Sequence, residues 1–160
     1  MSVLLLGPSA EVRQRLAEAL RRDGVTVLGT DSHSDATTPA DSDSVDTIVV
    51  VADRPLVSGA TPRQLRTWGN ATADWAITTV LTAGVRRLVL VCDARGLPFD
   101  RRTHALGWLR GLAHRIGYEC HINGAEGLVT AEAVIDTDAD VVATAEAVVE
   151  WHRGAAPARI

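Results

Sequence analysis

Two nearly unbroken apolar runs, Val45 to Ala52 (VDTIVVVA) and Arg87 to Cys92 (RLVLVC), limit the folds open to this chain more than any other feature. A strand with one wet face alternates apolar and polar residues. Continuous β-branched runs instead belong to strands covered on both faces, as in parallel sheets sandwiched between helices. Parallel strands need crossovers, and the opening of the chain supplies one. Ser2 to Leu6 is a short apolar run closed by Gly7, and Ser9 stands as a candidate helix cap. The periodic stretch AEVRQRLAEALRRDG then leads to Gly24, and Val25 to Gly29 returns as a second strand. This is a βαβ unit of about thirty residues, whose crossover should be right-handed.

The rest of the chain extends the same pattern. Residues Asp31 to Ser44 (DSHSDATTPADSDS) contain almost nothing apolar and read as a solvated loop where a doubly wound domain normally places a second helix and a third strand. A long helical region starts near Pro62, with a break expected at Gly69–Asn70, and runs to Gly84. RRTHALGWLRGLAHRIG reads as an amphipathic helix, YECHING as a last strand, and about Ala139 to His152 as a final helix with Val141, Val142, Ala145, Val148 and Val149 on one face. The expected architecture is α/β, a three-layer, doubly wound parallel sheet of about five strands, shortened between the second strand and the next. It forms one domain over residues 1–154, with a flexible tail at 155–160.

Composition removes several functions. All 16 basic residues are arginine, so no Schiff-base, P-loop or general-base lysine exists. The net charge is −4 and the arginines are scattered, which leaves no basic stripe to neutralise a run of phosphates and argues against nucleic acid. The N-terminal run MSVLLLG is far shorter than a signal-peptide core or a membrane span, so a cytoplasmic location is expected. Cys92 falls near the end of one strand and Cys120 near the start of another, too far apart to bridge, and both are expected to be buried and reduced. His104 and His114 stand ten residues apart on one helix, and no Cys-x-x-Cys or His-x-x-x-His spacing exists, so no metal site is expected.

The segment from Asn70 through Val91, with its Ala-Gly-Val-Arg-Arg turn into a strand, resembles the extended short-chain dehydrogenases, the NAD-dependent epimerase/dehydratase-like group. LAHRIGYECHINGAEGLV is similar to that family's next helix and strand. Together with the opening βαβ unit the likeness covers most of the chain and implies a Rossmann-like fold. The family's phosphate loop, Gly-x-x-Gly-x-x-Gly, lets backbone approach a pyrophosphate seated on a helix N-terminus. Here only Gly7 matches, with Ala10 and Arg13 at the other two positions and Glu11 placing a carboxylate in the first turn. The family's Tyr–Lys pair falls on Pro98 and Arg102, or in a shifted register on Phe99 and Thr103. Cys92 and Asp93 stand in place of its strand-end serines, and the single tyrosine, Tyr118, lies elsewhere. The resemblance therefore implies a truncated, degenerate relative without ordinary hydride-transfer chemistry. No cofactor is expected. NAD(P) held through Gly7, Ser9, Ala10 and the ribose-type acid Asp31 is the alternative.

In a parallel sheet a ligand sits off the C-terminal strand ends. The expected polar rim there holds Ser9 and Glu11, Asp31 and His33, Asp53 and Arg54, Asp93 and Arg95, and Asn123 with Glu126. Within it, Asp93, Glu126 and His33 are the candidates for cofactor-independent proton abstraction in a lyase, isomerase or cyclase. A phosphorelay receiver is disfavoured, because Gly7–Pro8 stands where acids are needed and lysine is absent. The helices around Trp75 and Trp108 correspond in the resemblance to a four-helix dimer interface, and Gly107 and Gly111 leave a flat strip beside Trp108. The leading reading is thus a non-catalytic interaction or regulatory module paired with itself or with a larger enzyme. The alternatives are the carboxylate-rim enzyme and an NAD(P)-binding sensor or atypical reductase.

Overall fold

The computed structural model describes residues 2–8, 11–30 and 45–154. Five parallel strands form one sheet: β1 (Ser2–Leu6), β2 (Thr26–Thr30), β3 (Val45–Ala52), β4 (Arg87–Asp93) and β5 (Val129–Ile135), in the order β2-β1-β3-β4-β5. In register, Leu4 lies beside Leu28 and Ile48, Ile48 beside Leu88, and Leu88 beside Thr130. The fold is Rossmann-like α/β, with helices on both faces of the sheet. The shortened segment expected at 31–44 lies outside the described residues.

Strand pleating sorts the core into two layers. Leu4, Leu6, Ile48, Val50, Leu88 and Leu90 point to one face. There they meet α2 (Arg54–Gly59), α3 (Pro62–Ala83) and α4 (Phe99–Ile122). Val3, Leu5, Val49, Val51, Val89 and Val91 point to the other face, against α1 (Glu11–Arg22) and α5 (Asp138–His152). The central strands are thereby buried on both sides, as their unbroken apolar runs require. Side chains of β2 are partly covered or exposed, and on β5 only Ala133 and Ile135 are fully buried, as befits edges.

Three sequence expectations are corrected. YECHING is the end of α4 and not a strand. Leu109, Leu112, Ala113, Ile116 and Cys120 continue one buried helical stripe through it, and the stop comes only after Asn123, at Gly124, whose φ is 97°. Gly117, which looked like the terminator, is an interior helix position packed against the edge strand, where a Cβ would lie 3.5 Å from the Thr130 methyl group. Cys120 accordingly sits on a helix; both it and Cys92 are buried free thiols. The real fifth strand, VTAEAVI, is a half-covered edge strand and lacks the dense apolar signal of β3 and β4.

The break expected at Gly69–Asn70 is also absent, since α3 is continuous. It starts at a capping box between Thr61 and Gln64 and ends on left-handed Gly84. Gly69 serves packing: a Cβ there would come within 3.2 Å of Trp108 Nε1. On α5, Val141, Ala145, Val148 and Val149 are buried as expected, but Val142 is exposed, and Thr144, Trp151 and His152 fill the inner face instead.

Candidate functional site

The C-terminal edge of the sheet is built by the residues that follow β1, β3, β4 and β5. Gly7 leaves β1 with φ 140°, and a Cβ there would meet the Val51 carbonyl oxygen at 2.5 Å. Close approach of β1 to β3 therefore demands glycine whether or not a phosphate ever binds. The Gly7 carbonyl accepts a hydrogen bond from Arg13 Nη1 at 2.8 Å, and the same guanidinium stands 2.9 Å from where a Cβ on Gly29 would be. Arg13 thus fills the space between the ends of β1 and β2. Asp53, after β3, is buried and accepts the Leu56 amide hydrogen bond as the cap of α2.

Arg95 dominates the edge. Its Nε and Nη2 donate to the two carboxylate oxygens of buried Asp93 at 2.9 and 2.8 Å, its Nη1 to Asp138 at 2.6 Å, and its Nη2 also to Glu11 at 3.2 Å. Asp93, then Asp138, hold this guanidinium protonated even more firmly than an ordinary arginine. Glu11 is shared further with Arg15 at 2.9 Å. One side chain so ties the start of α1, the end of β4 and the start of α5. Next to it, Arg102 of α4 pairs with Asp136, which follows β5. The Thr137–Asp140 capping box closes the turn, and hydrogen bonds from Thr137, then Asp136, hold the Asp140 carboxyl below its usual range. Cys92, behind Asp93, is pushed up to about 12 by burial and then by the charges of Asp93 and Asp136, which leaves it without nucleophilic character at neutral pH.

The candidate acid–base set does not assemble. Glu126 lies in the turn between α4 and β5, at the N-terminal edge of the sheet, opposite Asp93. Its expected place on the rim followed from reading residues 118–124 as a strand; Asp136 and Asp138 hold that position. Asp93 is on the rim as expected, but both its oxygens are engaged by Arg95. Ser9, Ala10, Asp31 and His33 lie outside the described residues. Among the described residues no cluster of His, Cys, Asp or Glu could hold a metal ion, and no helix is long and apolar enough to cross a membrane.

The second notable surface is on the opposite layer. Between α3 and α4 runs an open groove of about 890 Å³, with Leu65, Gly69, Trp108 and Leu112 among its apolar lining and Phe99 at its upper end. Trp68 and Trp108 pack at a ring separation of 5.7 Å and a tilt of 50°. Phe99 is 81% exposed, an unusual state for a phenyl ring. His104 lines this groove and His114 is exposed on the same helix, in keeping with their expected surface roles.

No protein-family model and no curated protein matches the chain. Among solved structures, a short-chain flavodoxin associated with a non-canonical PDU bacterial microcompartment is similar at 18% identity and TM-score 0.58, over 94% of this chain and 97% of the other. A de novo designed Rossmann 2x3 protein matches at 12% identity and TM-score 0.50, over 98% and 94%. A short-chain dehydrogenase/reductase superfamily protein from Agrobacterium tumefaciens with bound NAD matches at 14% identity and TM-score 0.52, over 82% of this chain and 48% of the other, so the chain spans about half of that protein's length. The order β2-β1-β3-β4-β5 is that of flavodoxin-type sheets, and it is equally what remains of the dinucleotide-binding order 3-2-1-4-5-6 once its third strand is removed. At these identities the likeness is one of fold, and the chain has a Rossmann-like α/β architecture.

Proposed function

We propose that the chain is a non-catalytic Rossmann-like interaction or regulatory module, which docks through its α3–α4 face to a second copy of itself or to a larger enzyme. The observation that carries this reading is the Arg95 clamp. In a sheet of this kind ligands are handled at the C-terminal strand ends. Here the carboxylates at those ends, Asp93, Asp138 and Glu11, are spent on an internal guanidinium that fastens three elements together. A phosphate at the start of α1 would meet the Glu11 carboxylate, and the Gly7 carbonyl is already held by Arg13. The apolar surface that solvent does not favour lies instead on the α3–α4 layer.

A second reading, an NAD(P)-binding sensor or atypical reductase, draws support from the likeness to a dehydrogenase-superfamily protein that carries NAD. Native mass spectrometry with and without NAD(P)H separates the two. The module reading expects no retained nucleotide; a tight one-to-one nucleotide complex overturns it in favour of the sensor. The carboxylate-rim enzyme has less support, since Asp93 and Glu126 sit at opposite edges of the sheet.

A further inference from the structure

We propose that the α3–α4 groove is a binding site for a small carboxylic acid with an apolar body, its carboxylate at Arg66 and Arg101 and its body along Trp108 and the glycines of α4. The proposal goes beyond the module reading and does not rest on it. A protein docked on this face would cover the same strip, so acid and partner would exclude one another.

The groove has the size and lining for such a guest. Its volume of about 890 Å³ falls within the roughly 300–1,000 Å³ of small-molecule sites, which likewise set a few polar groups on apolar walls. Leu65, Gly69, Trp108 and Leu112 give it an apolar floor. From His104 to Leu112 this floor follows α4 for about 12 Å at the helical rise, room for a medium-length aliphatic chain or a fused ring system. Nothing inside the chain calls for Gly107 and Gly111. Both are exposed within the helix, where glycine is unfavourable. Neither has a positive φ, and a Cβ on either would meet no neighbour within 4 Å. A guest lying flat against α4 does call for them.

Charge selects the head group. At the upper end an adjoining depression shares Pro62, Leu65 and His104 with the groove and adds Arg101. Arg66 and Arg101 are exposed, and neither is in an ion pair with another described residue. Among the lining residues here the one acid is Asp100, so the guanidinium groups are in excess, and His104 adds an N–H donor. Both helices also start at this end, with the positive ends of their dipoles. At the lower end Arg115 is already committed to Asn70, Asp74 and Glu119. The uncommitted cations therefore stand at one end of the apolar floor, the layout that an amphipathic acid matches, since guanidinium and carboxylate pair with good geometry.

The test is a titration of the full, nitrogen-labelled chain, followed by proton–nitrogen correlation NMR, with decanoate, naphthoate and, as the cationic control, decyltrimethylammonium, all below micellar concentrations. At least one acid is expected to shift the Gly107 and Gly111 amides and the Trp108 indole N–H saturably, at one to one. The cation should not. Arg66→Glu should weaken acid binding at least about tenfold, as loss of a charge-assisted hydrogen bond does. Gly111→Leu directs its side chain into the open groove and favours helix, so it should remain folded by circular dichroism while losing the acid. The proposal is overturned if neither acid gives saturable shifts at these residues, or if the cation binds equally well. Acid binding that survives Arg66→Glu or Gly111→Leu overturns it too. Nucleotide retention bears on the module reading alone, and these titrations bear on the groove alone.

Discussion

The Arg95 guanidinium covers both carboxylate oxygens of Asp93, side by side at 2.9 and 2.8 Å, and both side chains are largely withdrawn from water. A buried pair of this kind contributes modestly as a pair but leaves a large penalty when one member is removed, because the survivor is a buried charge without a partner. Arg95→Met should therefore cost about 3 kcal/mol in urea denaturation. Arg95→Met/Asp93→Asn should be more stable than the single variant, since the orphaned charge is gone. If Arg95→Met is neutral, the clamp is an exposed surface pair and the strand-end edge is open after all.

Gly7 separates a structural from a cofactor role. Its φ of 140° and the 2.5 Å approach of a Cβ to the Val51 carbonyl make alanine costly in the empty protein. Gly7→Ala is expected to lose about 2–4 kcal/mol of stability from strained backbone and overpacking together. Thermal unfolding without any nucleotide checks this. A glycine kept only so that backbone could approach a phosphate would show a binding defect and an unchanged melting curve.

How legible these features were in the sequence follows from how locally each is encoded. The buried strands β1, β3 and β4 announce themselves through apolar density, and α1 and α5 through one-sided periodicity, because burial acts directly on those residues. The fifth strand is an edge, and its Ala, Thr and Glu carry little apolar signal. The stripe of Ile116 and Cys120 fits a helix, but the Gly117–Tyr118 step imitated a helix end. That one displacement moved Glu126 to the wrong edge and hid Asp136 and Asp138. The Arg95 clamp joins residues 11, 93, 95 and 138, far apart in the chain, and no local pattern records it. The Asp-x-Asp-x-Asp spacing at 136, 138 and 140 was the available signal, readable only once β5 is ended correctly at Ile135.

Cys92 offers a test of how tightly the strand-end edge is closed. Burial, reinforced by Asp93 and Asp136, pushes its thiol up to about 12, so almost no thiolate exists at pH 8. Burial, then Glu119, also raises Cys120. Neither should react with iodoacetamide in the native protein, and intact-mass spectra should show both alkylated together as urea unfolds the chain. Rapid single labelling of Cys92 under native conditions would mean that the Arg95 clamp opens readily.

His152 gives the chain a pH dependence of definite sign. It closes the inner end of α5, fully enclosed between the sheet starts, with Nδ1 2.9 Å from Thr47 Oγ1 and Nε2 without a hydrogen-bond partner among the described residues. Burial lowers its pKa, Asp46 opposes this, and Arg87, the N-terminus and Arg153 add to the lowering. The folded protein thus binds this proton less readily than the unfolded chain, whose histidine titrates near pH 6.5. Stability from this group is fully present above that value and falls as the pH drops from about 6.5 towards the depressed native pKa. Urea denaturation between pH 7.5 and 5 should show the wild type weakening over this interval. His152→Phe, which keeps the volume and cannot be protonated, should give a flat profile there. A wild-type profile equally flat would mean that His152 is protonated in place, with Asp46 balancing the charge.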